Sequence, residues 1–79
     1  MISDPYQEVS AIAGLLDKTG LRDHADQLRS ALAEGVTGTE IYMILRWRLA
    51  NIAQDLELPP ELKNCLLLLH DYLDRALGP

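Results

Sequence analysis

Thr37-Gly38-Thr39-Glu40-Ile41-Tyr42-Met43-Ile44-Leu45-Arg46-Trp47-Arg48-Leu49-Ala50-Asn51-Ile52 is the stretch that decides the fold. Thr37 and Glu40 have capping-box spacing, in which a hydroxyl accepts an orphan backbone N–H and the acidic side chain reaches back. Ile41, Leu45, Leu49 and Ile52, and beyond them Leu56, recur at steps of three and four, so they share one face of an α-helix. Tyr42 and Ala53 lie at the edge of that face. Met43, Ile44 and Trp47 carry the apolar arc past half the circumference. A helix apolar over so much of its girth is expected to sit centrally in a bundle or to lend a flank to a partner. The spacing predicts a helix over 38–56.

Two more helices precede it. Asp4 is a good N-cap, Pro5 suits the first helical position, and Gln7 completes an Asp-x-x-Gln box. Val9, Ile12, Ala13 and Leu16 share a face, and Gly20 is the expected C-cap, giving a helix over 4–19. In the next segment, over 21–34, Leu21, Ala25, Leu28 and Leu32 oppose Asp23, Asp26, Ser30 and Glu34, and Gly35 is again the expected C-cap. On the other side, Leu58-Pro59-Pro60 is a hard stop. Pro60 opens a last helix over 60–77, and Leu58 and Pro59 are pushed to extended conformations. Leu62, Leu66, Leu69, Leu73 and Leu77 line that helix, with Cys65, Tyr72 and Ala76 beside them. Short connections turn consecutive helices back on one another. The expectation is all-α: one domain over 1–79, a compact four-helix bundle, antiparallel with short loops. The tight joint at Gly20 points to a steep crossing between the first two helices.

At 79 residues the chain is too short for a doubly wound or barrel enzyme. An apolar fraction of 48% permits a packed core, and the core is leucine-heavy and lacks phenylalanine. The single cysteine, Cys65, allows neither an intrachain disulfide nor a cysteine metal knuckle, so a reducing cytoplasm is the expected setting. The start of the chain has no basic and apolar signal-peptide pattern, and no apolar run approaches membrane-spanning length. A net charge of −5 argues against nucleic acid and anionic membrane surfaces as ligands and favours a basic partner.

Several side chains are candidates for a role, and each also has an ordinary reading. Arg48 lies on the apolar arc between Ile44 and Ile52. A guanidinium there is either tied into an internal ion pair that fixes register or drapes its stem over apolar surface with its head in water. Trp47, with Tyr42, Met43, Arg46 and Arg48, forms a strip that either faces a partner or is covered by the first or last helix. Asp55, Glu57 and Glu61 around the proline corner, with Asp71 and Asp74 on the last helix, are the candidate partner-binding acids; singly, each reads equally as solvated surface. Thr37 and Glu40 are structural. His70 and Asp74 have chelating spacing, but two ligands from one helix do not make a metal site. Cys65 reads as a small packed hydrophobe. No phosphate-binding loop, paired acid and base, or activated nucleophile is visible, so the expectation is no enzyme, no cofactor and no metal.

The segment Thr37 to Leu49 resembles a stretch of small acidic helical immunity proteins from bacteria. These are encoded beside polymorphic toxins, including those of contact-dependent growth inhibition systems. The resemblance lies in Thr39-Glu40-Ile41, then Met43, then Leu45-Arg46-Trp47 and Leu49 with position 48 open, in a segment of about one sixth of the chain. It implies a cytoplasmic protein that binds a cognate toxin domain and occludes its active site or substrate groove. The alternative is a helical adaptor or homodimerisation module with a regulatory role, in which the broad apolar girth of the third helix is the oligomer interface.

Overall fold

A computed structural model describes residues 2–78. It contains four α-helices: α1 (Pro5–Lys18), α2 (Arg22–Glu34), α3 (Gly38–Ile52) and α4 (Pro60–Leu77). The molecule measures 30 × 22 × 21 Å. Any two consecutive helices laid end to end would extend about 40 Å or more, so each connection reverses the chain. α1 packs on α2 and α4, and α3 packs on α2 and α4; among the described residues neither diagonal pair brings Cα atoms within 8 Å. The result is a four-helix bundle closed into a ring around one core.

The helix starts follow from their caps. The Asp4 carboxylate accepts from the backbone N–H groups of Tyr6 (3.0 Å) and Gln7 (3.4 Å), with Pro5 following it. The Thr37 hydroxyl accepts from Glu40 N–H at 3.2 Å and donates to Glu40 Oε1 at 3.4 Å. Thr37 and Glu40 thus tie the α3 start together, with the carboxylate meeting the hydroxyl. α1 ends as a Schellman motif, with Leu21 N–H donating to Leu16 O (2.8 Å) and Gly20 N–H to Asp17 O (3.1 Å). The motif requires a left-handed residue, and Gly20 supplies it at φ 82°.

Gly35 does cap α2, but not by that device. Its backbone is extended, at φ −77° and ψ 143°. A Cβ there would lie 2.5 Å from Ile41 Cγ1 and 2.7 Å from Ile41 N. Glycine is needed because the start of α3 passes this close.

The core consists of Val9, Ile12, Ala13 and Leu16 from α1, Ala25, Leu28 and Ala31 from α2, Leu45, Leu49 and Ile52 from α3, and Leu62, Leu66, Leu69 and Leu73 from α4. Leu21 and Leu32, expected on the core face, pack only partly buried against it, and Ala31, next to Leu32, is fully buried instead. No polar side chain among the described residues is fully buried, so the side chains that fill the core are apolar.

The third helix is shorter than its periodicity predicts. α3 stops at Ile52 rather than 56, and Leu56, expected on its core face, is 97% exposed. The backbone tightens first: Gln54 N–H donates to Asn51 O and Asp55 N–H to Ile52 O, both three residues back. The Asp55 carboxylate then draws in the N–H of Glu57 and bends the chain away. Leu58, at 7% exposure, fills the core place that Leu56 leaves. Pro59 is extended (φ −59°, ψ 141°) and delivers the chain to α4.

Candidate interaction surface

Arg48 is held inside the bundle surface. Its side chain is 16% exposed. Nη1 donates to Gln27 O (2.8 Å) and Ser30 Oγ (2.9 Å), and Nη2 to Glu34 Oε1 (2.8 Å). This network spans α2 and α3. It satisfies a half-buried cation with a carboxylate and two neutral acceptors, the arrangement a guanidinium fork suits. The same guanidinium, with Ser30, holds the Glu34 carboxyl below the usual carboxylate range. On the other flank, Arg46 Nη1 reaches Asp74 Oδ1 of α4 at 2.8 Å. α3 is therefore clamped to both neighbours by the two arginines that bracket Trp47.

Trp47 itself points outward and is 68% exposed; neither α1 nor α4 covers it. Met43, one turn earlier on the same outer face, is 52% exposed. Tyr42 behaves differently. It packs partly buried against the core, its ring 6.1 Å from that of Tyr6, and burial pushes its hydroxyl pKa upward. Of the expected strip, Met43 and Trp47 are free surface, Arg46 and Arg48 are its clamps, and Tyr42 belongs to the packing.

The candidate acids divide similarly. Asp74 accepts Arg46, and Asp71 pairs with Arg75 one turn on (3.1 Å). Asp55 is a structural hinge. Its Oδ1 accepts from Glu57 N–H at 2.9 Å, and its Oδ2 meets His24 Nε2 of α2 at 2.8 Å. The Glu57 N–H and then His24 hold its carboxyl below the usual carboxylate range. Glu57 and Glu61 are exposed and make no ion pair among the described residues. The structure brings Asp55, Glu57 and Glu61 together at the turn between α3 and α4, and leaves Asp71 and Asp74 farther along α4.

Three features escaped the sequence reading. Leu56 was hidden because it continues the α3 periodicity. The His24–Asp55 pair joins residues 31 apart, and no local pattern announces it. A third feature is a groove of about 650 Å³ beside α4, lined by Ile2, Glu8, Cys65, Leu68, Tyr72 and Arg75 among others. Cys65 is half-buried there and packs on the core. Among the described residues no three His, Cys, Asp or Glu side chains gather as a metal site, and no helix is long and apolar enough to cross a membrane. The arrangement is a four-helix bundle that carries the exposed Met43–Trp47 pair on α3 and the Asp55, Glu57 and Glu61 carboxylates at the turn before α4. Compared with known proteins, the chain matches no family model, no curated protein and no solved structure.

Proposed function

We propose that this chain is an immunity protein of the cytoplasm, which binds a cognate bacterial toxin domain and occludes its active site or substrate groove. The observation that carries the reading is the distribution of charge. Four of the seven basic residues, Arg29, Arg46, Arg48 and Arg75, are consumed in ion pairs with the chain's own carboxylates. Among the described residues Glu8, Asp23, Glu57 and Glu61 stay exposed or half-exposed and make no ion pair. With a net charge of −5, these acids give a field that attracts a basic surface and speeds capture. A toxin acting on nucleic acid would present such a surface in its substrate groove. Trp47 and Met43 add the apolar anchor that charge alone does not supply. The resemblance of residues 37–49 to immunity proteins supports the same reading.

Co-expression tests it. The toxin domain encoded beside this gene should be tolerated by cells that make this chain and should co-purify with it as a one-to-one complex. Unrelieved toxicity with no co-purification rejects the reading.

The exposed Met43–Trp47 strip also favours a second reading, a homodimerisation module with a regulatory role. Light scattering separates the two. A tight homodimer that shields Trp47 supports the second; a monomer that becomes a heterodimer supports the first.

A further inference from the structure

Leu56 is the most exposed large apolar side chain among the described residues, at 97%. A lone exposed leucine is ordinary. What distinguishes this one is the backbone beneath it. Leu58 N–H donates to Asp55 O at 3.3 Å, closing the chain into a turn with Leu56 and Glu57 at its tip. Asp55 Oδ1 takes the Glu57 N–H at 2.9 Å, and Asp55 Oδ2 is tied across to His24 of α2 at 2.8 Å. Ile52 and Ala53 are buried before the turn and Leu58 after it. Leu58 is the leucine of this turn that joins the core, and Leu56 stands outside it. The turn holds a large apolar group in water, with Glu57 beside it and Glu61 at the start of α4.

We propose that the Asp55–Leu58 turn is a preformed recognition hook: Leu56 enters an apolar pocket on the partner protein, while Glu57 and Glu61 meet basic side chains at the pocket's rim. The inference rests on the toxin-binding reading and names the contact through which it works. The occupant is a protein surface with an apolar pocket among lysines or arginines. Charge complementarity favours it over a second copy of this chain, which would bring a further −5 of charge to an acidic surface. Fixing the turn before binding removes an ordering cost that a flexible loop would carry. Trp47 lies five residues before the end of α3, about 7–8 Å of helix rise.

The test is calorimetric titration of the full chain, wild type and variants, with the toxin domain encoded beside the gene. Leu56→Ala should weaken binding about tenfold to a hundredfold, and Leu56→Asn at least as much. Glu57→Lys should slow association, with a loss that shrinks as salt rises. Each Leu56 variant should melt within about 2 °C of wild type, as a fully exposed side chain requires. If wild type binds and both Leu56 variants bind equally well, the hook is wrong and the toxin-binding reading stands. If wild type does not bind, that reading fails and the hook loses its partner with it. A melting point lowered by more than about 5 °C in Leu56→Asn would make the residue structural and overturn the hook. A wild-type homodimer that Leu56→Asn dissociates would overturn it too, by making a second copy the occupant.

Discussion

Two leucines follow the ends of two helices and meet opposite fates. Leu21 comes two residues after the Thr19 cap of α1 and packs partly buried against the core. Leu56 comes three residues after the Ala53 cap of α3 and stands in water. The side chain is the same, so the backbone decides. At the first joint a left-handed glycine completes the Schellman motif and rolls the next apolar residue inward. The second connection has no glycine; an aspartate carboxylate catches the N–H two residues on and turns the chain outward. A helix can thus be stopped so as to finish the core or so as to present a residue to the exterior. The one or two residues after the cap, Gly20 in one case and Asp55 in the other, are where the choice is made.

The comparison breaks hardest at Leu58. It is the leucine of this turn that reaches the core, and Leu58→Ala should cost about 2–4 kcal/mol, read as a lower denaturant midpoint. A loss near zero would mean that Leu56 can take its place and that the outward turn is not fixed. Next is Gly20→Ala, which forces a Cβ into the left-handed region with no steric clash to confuse the result, and should cost about 1–2 kcal/mol. Asp55→Ala, which leaves the core untouched but frees both the Glu57 N–H and His24, should lower the melting midpoint by less.

Acid should loosen the Asp55 turn, the α2–α3 clamp and the Asp17–Arg29 pair between α1 and α2, while sparing the Schellman hydrogen bonds at Gly20, which are backbone to backbone. Asp17, Glu34 and Asp55 have carboxyl pKa values below the ordinary range, held there chiefly by Arg29, Arg48 and the Glu57 N–H respectively. A lowered folded pKa means that the charged form is favoured by folding. Their stabilisation is therefore complete above about pH 4–5 and is lost as pH falls through the carboxylate range. Thermal melts between neutral pH and pH 3 should show this drop. It should be smaller in Arg48→Met, which removes the partner of Glu34 at the outset. The smallest expected effect is Leu56→Ala, whose stability should lie within about 0.5 kcal/mol of wild type.

Much of this was legible in the amino-acid string. Asp4, Thr37 and Pro60 mark three helix starts, and Gly20 a stop. The spacing of Leu62, Leu66, Leu69 and Leu73 names their buried face. Arg48 declared itself by standing among apolar residues, and its internal ion pair with Glu34 is one of the two readings its position allowed. The rest depends on distance in space. Periodicity carried α3 on to Leu56 because nothing local distinguishes an Asp that continues a helix from one that turns it. The need for Gly35 appears only when Ile41 is seen lying against it. Asp71 and Asp74 are answered by Arg75 and Arg46, the latter on a different helix. Trp47 and Tyr42 sit five residues apart on one helix, yet one faces water and the other packs, because helical direction alone does not reveal which neighbour stands opposite.

The central claim is that the chain acts by direct, charge-guided binding to a basic protein. Titrating it with the neighbouring gene's toxin domain at low and at moderate salt tests this most directly. The account predicts a one-to-one complex with nanomolar or tighter affinity at low salt, and an association rate that falls steeply as salt is raised. Absence of binding at low salt, or an association rate indifferent to salt, would contradict it.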